Sequence, residues 1–189
     1  MLVVPFEFDA PVSAAFPRPG SVGQVTDRPA LARHELKGIA TRLARSGPGD
    51  DPAWTEGERR RYCRLIATDR YDAWLIAWSP CSGVELHDHG GSQGAVAVAS
   101  GRLLEHYTDL RWRPPIRSRI VDPGVTVSVP GIRVHEVSNP GPTDALSVHV
   151  YSPPLTTMTF FDPRPDALLV PLQTTRGELA TLEETTTLL

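Results

Sequence analysis

Two histidines separated by one residue, His87 and His89, are the first feature of this chain whose spacing suggests chemistry. Side chains two residues apart on a β-strand point to the same face, so both imidazoles would project together while Asp88 would point away. Imidazole suits iron, copper, nickel and zinc. The pair therefore predicts half of a metal site, and the alternative is a chance pair on a solvated strand.

A third ligand must come from elsewhere in the chain, which contains six histidines. His34 falls on the polar side of a predicted helix and His106 beside the rim of the predicted β-structure, so we expect both to be structural or exposed. His135 and His149 differ from these two, because each follows a patterned, strand-like segment. Both are candidates at this point.

Helices come first among the elements that must position these residues. Asp27 is a suitable N-cap, Pro29 lies near the first turn, and the run from Ser46 to Gly49 ends the helix. Between them, apolar residues recur at helical spacing, namely Ala32, Leu36, Ile39 and Leu43. A second short helix is predicted over Glu56–Arg61.

From Tyr62 onward the chain consists of short apolar runs separated by Gly, Pro, Asp and Asn. The predicted strands are Tyr71–Trp78, Val84–His89, Ala95–Ala99, Leu103–Tyr107, Ser118–Val121, Thr126–Val129, Ala145–Tyr151, Thr156–Phe161 and a possible last strand Leu168–Leu172. This spacing is typical of a β-sandwich or barrel. We predict one domain over residues 1–189, with a helical lead-in over 1–61 and a β-barrel over 62–172.

Composition narrows the function classes. A net charge of −3 and a pI of about 6.1 argue against nucleic acid or an anionic membrane as the main partner. No apolar run reaches the ~18 residues of a membrane helix, and no Lys or Arg before Arg18 supplies the basic region of a signal peptide. Cys63 and Cys81 are the only cysteines, so we expect a cytoplasmic protein with both thiols reduced.

The segment from Gly124 to Asn139, with Pro130 and His135 inside it, resembles the second sequence motif of cupins, which are small β-barrels. The first cupin motif matches His87-x-His89 and the Gly101 that follows. The resemblance implies a mainly β, jelly-roll-like barrel with N-terminal helices. It also selects His135 as the third metal ligand.

One departure from the cupin pattern is informative. A Glu commonly follows the histidine pair as a fourth ligand, and here Gly94 occupies that position. Glu85 shares strand parity with the pair and could refill the vacancy. Without it, three neutral histidines leave open positions on an octahedral ion, which non-haem Fe(II) oxygen chemistry needs and a closed structural site lacks.

Several further motifs together resemble the cysteine dioxygenase family. They are Tyr62-x-Arg64, Trp78, His87-Asp88-His89 with Ser92, Gly101-x-Leu103-x-Glu105, His135-x-Val137-x-Asn139 and Ser147-Val-His149-Val-Tyr151-Ser-Pro-Pro154. The resemblance covers roughly Tyr62 to Phe161. It implies Fe(II) held by His87, His89 and His135, with L-cysteine and O₂ as substrates and cysteine sulfinic acid as product.

The resemblance also assigns roles to other residues. Arg64, assisted by Tyr62, would bind the substrate carboxylate, for which a planar guanidinium is well suited. Ser147, His149 and Tyr151 alternate along one strand, so all three point to one face and can place the Tyr151 phenol beside substrate. In animal members a cysteine is crosslinked to the catalytic tyrosine. Gly94 stands at its position, so no crosslink is expected here.

Other functions compete with this interpretation. The nearest is a dioxygenase of another thiol carboxylate such as 3-mercaptopropionate, and the resemblance implies that such relatives carry Gln where Arg64 stands. A metal-binding cupin isomerase or sensor, or a structural barrel without metal, are more distant alternatives. We expect a monomer whose partners are small molecules, with no nucleic acid and no membrane.

Overall fold

A computed structural model describes residues 29–47, 52, 54–56, 60–110, 116–163 and 169–176. One helix and twelve strands are formed by these residues. They are α1 (Arg33–Ser46), β1 (Thr55–Glu56), β2 (Arg60–Ala67), β3 (Asp72–Trp78), β4 (Gly83–His87), β5 (Gln93–Ser100), β6 (Leu103–Asp109), β7 (Arg117–Val121), β8 (Thr126–Val129), β9 (Arg133–Ser138), β10 (Ala145–Ser152), β11 (Thr157–Pro163) and β12 (Leu169–Arg176).

The strands form two antiparallel six-stranded sheets that enclose the core. The first has the order β1-β2-β3-β10-β5-β8 and the second the order β12-β11-β4-β9-β6-β7. The chain is therefore mainly β and jelly-roll-like, as predicted. It is a sandwich of two sheets, because no strand pairing within the described residues closes them into one ring.

Helix α1 packs on the outer face of the first sheet. Its buried residues Leu36 and Ala40 contact a cluster that includes Leu75, Ala97 and Val148 from the central strands. These strands are thus covered on both faces, which explains why every residue of β3 is buried and why its sequence is almost continuously apolar. The helix begins at Arg33, later than predicted, and the proposed cap Asp27 lies outside the described residues.

The second predicted helix, over Glu56–Arg61, is wrong. Glu56 ends β1 and Arg61 lies in β2. The two residues are register partners in the antiparallel pairing of these strands. Pairing between the strands overrides the weak helical preference of this polar run. The boundary placed after residue 61 therefore falls inside β2. The single-domain organisation over residues 1–189 stays a prediction.

Of the strands predicted between Tyr71 and Leu172, β8 has the predicted bounds and the others are present with shifted ends. Strands β1, β2 and β9 complete the two sheets. No helix in the described part of the chain has the length and apolarity to cross a membrane. The helical segment is fastened beside the site by Leu31, whose backbone N–H donates to Ser152 Oγ at 2.9 Å and whose carbonyl accepts from Gln93 Nε2 at 2.7 Å. These two contacts join the entry of α1 to the ends of β10 and β5.

Candidate metal centre and active site

The three histidines predicted as metal ligands meet in the interior, between the two sheets. His87 ends β4, His89 follows it, and His135 lies on β9 as the register partner of His87. All three are at most 4% exposed, and one ring nitrogen of each lies within 4.8 Å of those of the other two. His89 Nε2 and His135 Nε2 are 3.4 Å apart. The sequence prediction of this cluster agrees with the geometry.

Hydrogen bonds on the far side of two rings fix which nitrogen faces the centre. His87 Nδ1 lies 2.6 Å from the carbonyl oxygen of Glu85, which can only accept, so Nδ1 carries the proton. His135 Nδ1 likewise donates to Glu105 Oε1 at 2.8 Å. Both rings therefore direct an unprotonated Nε2 inward. Lone pairs facing one another in a buried space repel unless a cation lies between them, so this donor set fits a metal ion.

The spacing also suits one ion. Ligand nitrogens about 2.1 Å from a common metal, on one face of an octahedron, would be about 3 Å from one another. Small rotations of the rings would bring the 3.4 Å pair to that separation. Three neutral imidazoles are ligands that iron, copper, nickel and zinc accept, so the donors alone do not choose among these metals.

The Glu85 side chain does not supply a fourth ligand to the three-histidine site. The register between β4 and β9 shifts between Val84 and His87, which marks a β-bulge. The bulge breaks the alternation that the sequence suggests: Val84 faces the core while the Glu85 side chain is exposed. Only the backbone carbonyl of Glu85 serves the site, through His87.

Gly94 explains why the usual cupin carboxylate is absent. It lies opposite Tyr151 in the β5–β10 register, and a Cβ atom built on it would lie 3.0 Å from Tyr151 Cδ1 and 2.9 Å from the Val150 carbonyl oxygen. A side chain here would require the Val150 backbone or the phenol ring to shift, and the centroid of that ring lies 4.8 Å from that of the His89 ring. A carboxylate ligand at position 94 is therefore incompatible with the observed placement of this tyrosine.

A hydrogen-bonded row leads along β10 to the Tyr151 phenol, whose ring packs against that of His89. Trp78 Nε1 donates to Ser147 Oγ at 2.9 Å, Ser147 Oγ lies 3.0 Å from His149 Nε2, and His149 Nδ1 lies 3.1 Å from Tyr151 Oη. The row is satisfied when Ser147 donates to Nε2 and the Nδ1 proton is donated to the phenol oxygen. Sequence reasoning found the Ser–His–Tyr alternation but gave no role to Trp78, which fixes its far end.

The charge state of His149 is set by its surroundings. Burial, followed by repulsion from His135, lowers the pKa of His149 to about 3, although the Glu105 carboxylate acts in the opposite direction. The ring is therefore neutral near pH 7 and offers one donor and one acceptor. Burial also lowers the pKa of His87 and His89 well below the usual value, which keeps both as neutral ligands.

Glu105 supports the histidine cluster, a position that its place in the sequence motif did not reveal. This buried carboxylate accepts from His135 and forms an ion pair with Arg119, while Arg133 lies 3.9 Å away. Burial alone would raise its pKa, but the hydrogen bonds and charges of His135 and Arg119 lower the pKa to about 2. The ionised carboxylate orients His135 and increases the basicity of its Nε2.

Arg64 and Tyr62, the predicted carboxylate-binding pair, occupy different environments. Tyr62 is buried in the core between the sheets. The Arg64 side chain is exposed, with its guanidinium carbon 4.6 Å from the Trp74 ring centroid and its charge acting on the buried Asp72. The structure thus brings Tyr62 into the interior and leaves Arg64 at the surface.

Among the arginines in the described part of the chain, Arg60 is buried. It is 6% exposed and its guanidinium lies against the rings of Tyr62 and Trp78. The sequence suggests only a basic surface run here, although strand alternation places Arg60 on the same face as Tyr62. His34 is exposed and His106 contacts Ser118 Oγ at 2.7 Å, so neither takes part in the cluster.

Comparison with known proteins agrees with this site. A family model described as Cysteine dioxygenase type I matches residues 52–164, which is more than half of the chain. The chain is 25% identical over 132 residues to Cysteine dioxygenase type 1 of Danio rerio, covering 63% of this chain and 65% of that protein. With Cysteine dioxygenase type 1 of Bos taurus it shares 26% identity over 129 residues, covering 63% and 64%. The chain therefore spans just under two thirds of the length of these curated relatives.

Among solved structures, the capsular polysaccharide assembling protein CapF from Staphylococcus aureus is similar with a TM-score of 0.50. The identity is 19%, and the match covers 71% of this chain and 34% of that chain. At this identity the likeness concerns the fold alone.

The Glu105–His135 hydrogen bond yields a prediction about metal binding. Glu105→Ala removes the group that orients His135, so we expect metal affinity to fall about 10- to 100-fold. Glu105→Gln can still accept from Nδ1 and should lose less, whereas His135→Ala should abolish stable binding. Competition with a chromophoric chelator measures all three. An affinity for Glu105→Ala equal to that of the wild type would contradict the assignment.

The low pKa of His149 predicts how stability depends on pH. Below about pH 6.5 the unfolded chain takes up a proton on this ring that the folded chain does not, so the free energy of unfolding falls as pH drops from 6.5 toward 3. Urea unfolding of chelator-treated protein should show a shallower loss for His149→Gln than for wild type, by up to about 1.4 kcal/mol per pH unit. Equal slopes of the free energy of unfolding against pH in the two proteins would refute this prediction.

Proposed function

The chain belongs to the cysteine dioxygenase type I family, and from this membership we propose that it is an Fe(II)-dependent thiol dioxygenase that oxidises L-cysteine with O₂ to cysteine sulfinic acid. The observation that carries the proposal is the combination of three buried histidines with a phenol row in place of a fourth ligand. A substrate thiol and O₂ could both use the positions that a carboxylate would otherwise occupy.

His87, His89 and His135 would hold the iron. When bound, iron supplies the one-electron chemistry that allows O₂ to react with a thiolate. The chain contributes geometry and charge: two of the histidines are fixed through their Nδ1 atoms, and none brings a negative charge to the centre. A thiolate brings its own negative charge, which a fourth carboxylate ligand would oppose.

Tyr151, His149 and Ser147 would serve the reacting groups. The Tyr151 ring packs against that of His89, so its hydroxyl lies beside the metal-facing space. With His149 donating from Nδ1, the phenol directs its own proton to the substrate side and can stabilise negative charge on oxygen. Ser147 and Trp78 hold His149 in the tautomer that this requires.

Substrate identity is the finer part of the proposal. Tyr62 is buried on the same strand face as Arg60, which supports a place in the substrate pocket. The role predicted for Arg64 remains a prediction, because its guanidinium is exposed against Trp74. A thiol carboxylate such as 3-mercaptopropionate is the second candidate, since no described feature selects for the amino group of cysteine.

We also propose that the protein is a cytoplasmic monomer that binds a small thiol and O₂. The free state of Cys63 and Cys81 is consistent with a reducing compartment.

Oxygen consumption tests the function directly. The Fe(II)-loaded protein is compared with cysteine, 3-mercaptopropionate and mercaptosuccinate, each with and without chelator. We expect uptake of one O₂ per cysteine and formation of the sulfinic acid, identified by mass spectrometry. Preference for 3-mercaptopropionate would select the second candidate, and no uptake with any thiol would reject the proposed activity.

The substitution Tyr151→Phe tests the role of the phenol hydroxyl separately from metal binding by the three histidines. Iron content should be unchanged, because the three histidines remain, while kcat falls by about 10- to 100-fold through loss of one hydrogen-bond donor. Tyr71→Phe is a matched control, since Tyr71 packs in the helix-facing cluster on the opposite side of the first sheet. Turnover of Tyr151→Phe equal to that of this control would remove Tyr151 from the mechanism.

A further inference from the structure

A charged network surrounds the Glu105 carboxylate that accepts from His135. Glu105, Tyr107 and Asp109 alternate along β6, so they share one face of that strand. Arg133 lies two residues before His135 on β9 and shares its face in the same way. In the register of these strands Tyr107 pairs with His135 and Asp109 pairs with Arg133. The charged groups and the histidine therefore lie on the same side of the second sheet.

Arg119 supplies the hydrogen bond that fixes the Glu105 carboxylate. It comes from β7 as the register partner of Glu105, and its Nε donates to Oε2. The other oxygen, Oε1, accepts from His135 Nδ1 at 2.8 Å. One oxygen thus anchors the carboxylate, while the other orients the ring of the histidine.

Arg133 brings a second positive charge to the same carboxylate without a hydrogen bond. Its Nη1 lies 3.9 Å from Glu105 Oε1, which is beyond hydrogen-bond distance. Its Nε donates to Asp109 Oδ1 at 2.9 Å, and its guanidinium carbon lies 4.2 Å from the Tyr107 ring centroid. Among the described residues, Nη1 is buried and has no hydrogen-bond partner. Asp109 and Tyr107 therefore hold this N–H short of the carboxylate.

These contacts give the two arginines opposite effects on His135. The hydrogen bond from Arg119 keeps Oε2 in place, and with it the alignment of Oε1 and Nδ1. The charge of Arg133 beside Oε1 weakens the pull of that oxygen on the Nδ1 proton, so Nε2 becomes a poorer donor to a metal. Because the Arg133 side chain is only 11% exposed, solvent screens this charge little.

We propose that Arg119 and Arg133 are positioning residues of the metal site that act through Glu105 in opposite senses. Arg119 strengthens the binding of metal by His135, and Arg133 limits it. The inference rests on the proposed function only in that His135 is a metal ligand. A limited donor at His135 favours the less highly charged state of a redox metal, which is the Fe(II) state that the proposed activity requires.

Metal affinity measures both effects without turnover. Co(II) is titrated into metal-free protein in competition with a chromophoric chelator. Arg133→Gln should bind Co(II) about three- to ten-fold more tightly than wild type, whereas Arg133→Lys keeps the charge and should stay within about two-fold. Arg119→Gln should bind about ten-fold more weakly. A network with a merely structural role would lose affinity in both Gln variants, and that result would overturn the proposal.

A remote arginine is the matched control for loss of charge. Arg102 forms an exposed ion pair with Asp122 at 3.4 Å, and the two side chains are 59% and 55% exposed. Arg102→Gln removes the same charge as Arg133→Gln but should leave Co(II) affinity within about two-fold, because solvent screens it. An equal gain in the two variants would reduce the effect to net charge and overturn the proposal.

A double variant tests whether Arg133 acts through Glu105. In the Glu105→Gln background, Arg133→Gln should change Co(II) affinity by less than about two-fold, because the charged carboxylate that carries the effect is gone. The full gain in that background would mean that the charge acts on the metal directly. The role assigned through Glu105 would then be wrong.

The oxidation state of bound iron gives a second readout. Loss of a positive charge beside the ligand favours the more highly charged ion, so Arg133→Gln should shift the Fe(III)/Fe(II) equilibrium toward Fe(III) about three- to ten-fold. Arg133→Lys should not shift it. Anaerobic spectroelectrochemistry of the iron-loaded protein measures this equilibrium, and no shift in Arg133→Gln would contradict the proposal.

Asp109→Asn keeps the proposal testable if Arg133→Gln does not fold. The Asp109 side chain is 33% exposed, and its substitution releases the Arg133 guanidinium from its partner. The full charge of Arg133 then acts on Glu105, so Co(II) affinity should fall about three-fold or more. Unchanged or tighter binding in Asp109→Asn would overturn the proposal.

Failure of the proposed function gives a different result. Opposite effects of Arg119→Gln and Arg133→Gln on Co(II) affinity, in a protein that consumes no O₂ with any thiol, would reject the dioxygenase activity and support the inference. O₂ uptake by wild type, with unchanged Co(II) affinity in Arg133→Gln, would support the activity and reject the inference.

Discussion

The structure depends on holding three imidazoles close together in a buried space between the two sheets. Lone pairs on His87 and His135 face the same point because each ring donates its Nδ1 proton in the opposite direction. Burial, followed by the proximity of His135, lowers the pKa of His87 and His89 well below the usual value. A cation between the inward lone pairs would relieve their repulsion, so the cluster fits a metal ion.

Two different groups fix the orientation of the His87 and His135 rings. For His87 the support is a backbone carbonyl exposed by the bulge in β4, whereas for His135 it is the carboxylate of Glu105 on the neighbouring strand β6. The Glu105 carboxylate is itself buried, and the positive charges of Arg119 and Arg133 beside it offset the cost of burying its negative charge. Removing charge from this group would affect the ligand and the packing together.

A single small residue connects the metal site to the reactive row. Gly94 leaves the space in which the Tyr151 ring sits, and that ring could not coexist with a carboxylate at the same position. The exchange replaces a charged ligand with a neutral hydrogen-bonding group at the end of a row anchored by Trp78. The Tyr151 phenol therefore lies beside the histidine cluster, where a hydrogen-bond donor can stabilise negative charge.

The sequence by itself predicted the mainly β fold, the clustering of His87, His89 and His135, the alternation of Ser147, His149 and Tyr151, and the missing carboxylate at Gly94. These follow from the two-residue period of a strand and from motif spacing, which are properties of short segments. Only the tertiary structure decided that the Glu85 side chain is exposed, that Glu56 and Arg61 pair on adjacent strands, that Glu105 supports His135, and that Arg60 is buried while Arg64 is exposed. A bulge, a strand pairing and the reach of a long side chain depend on partners distant in sequence, so no local pattern specifies them.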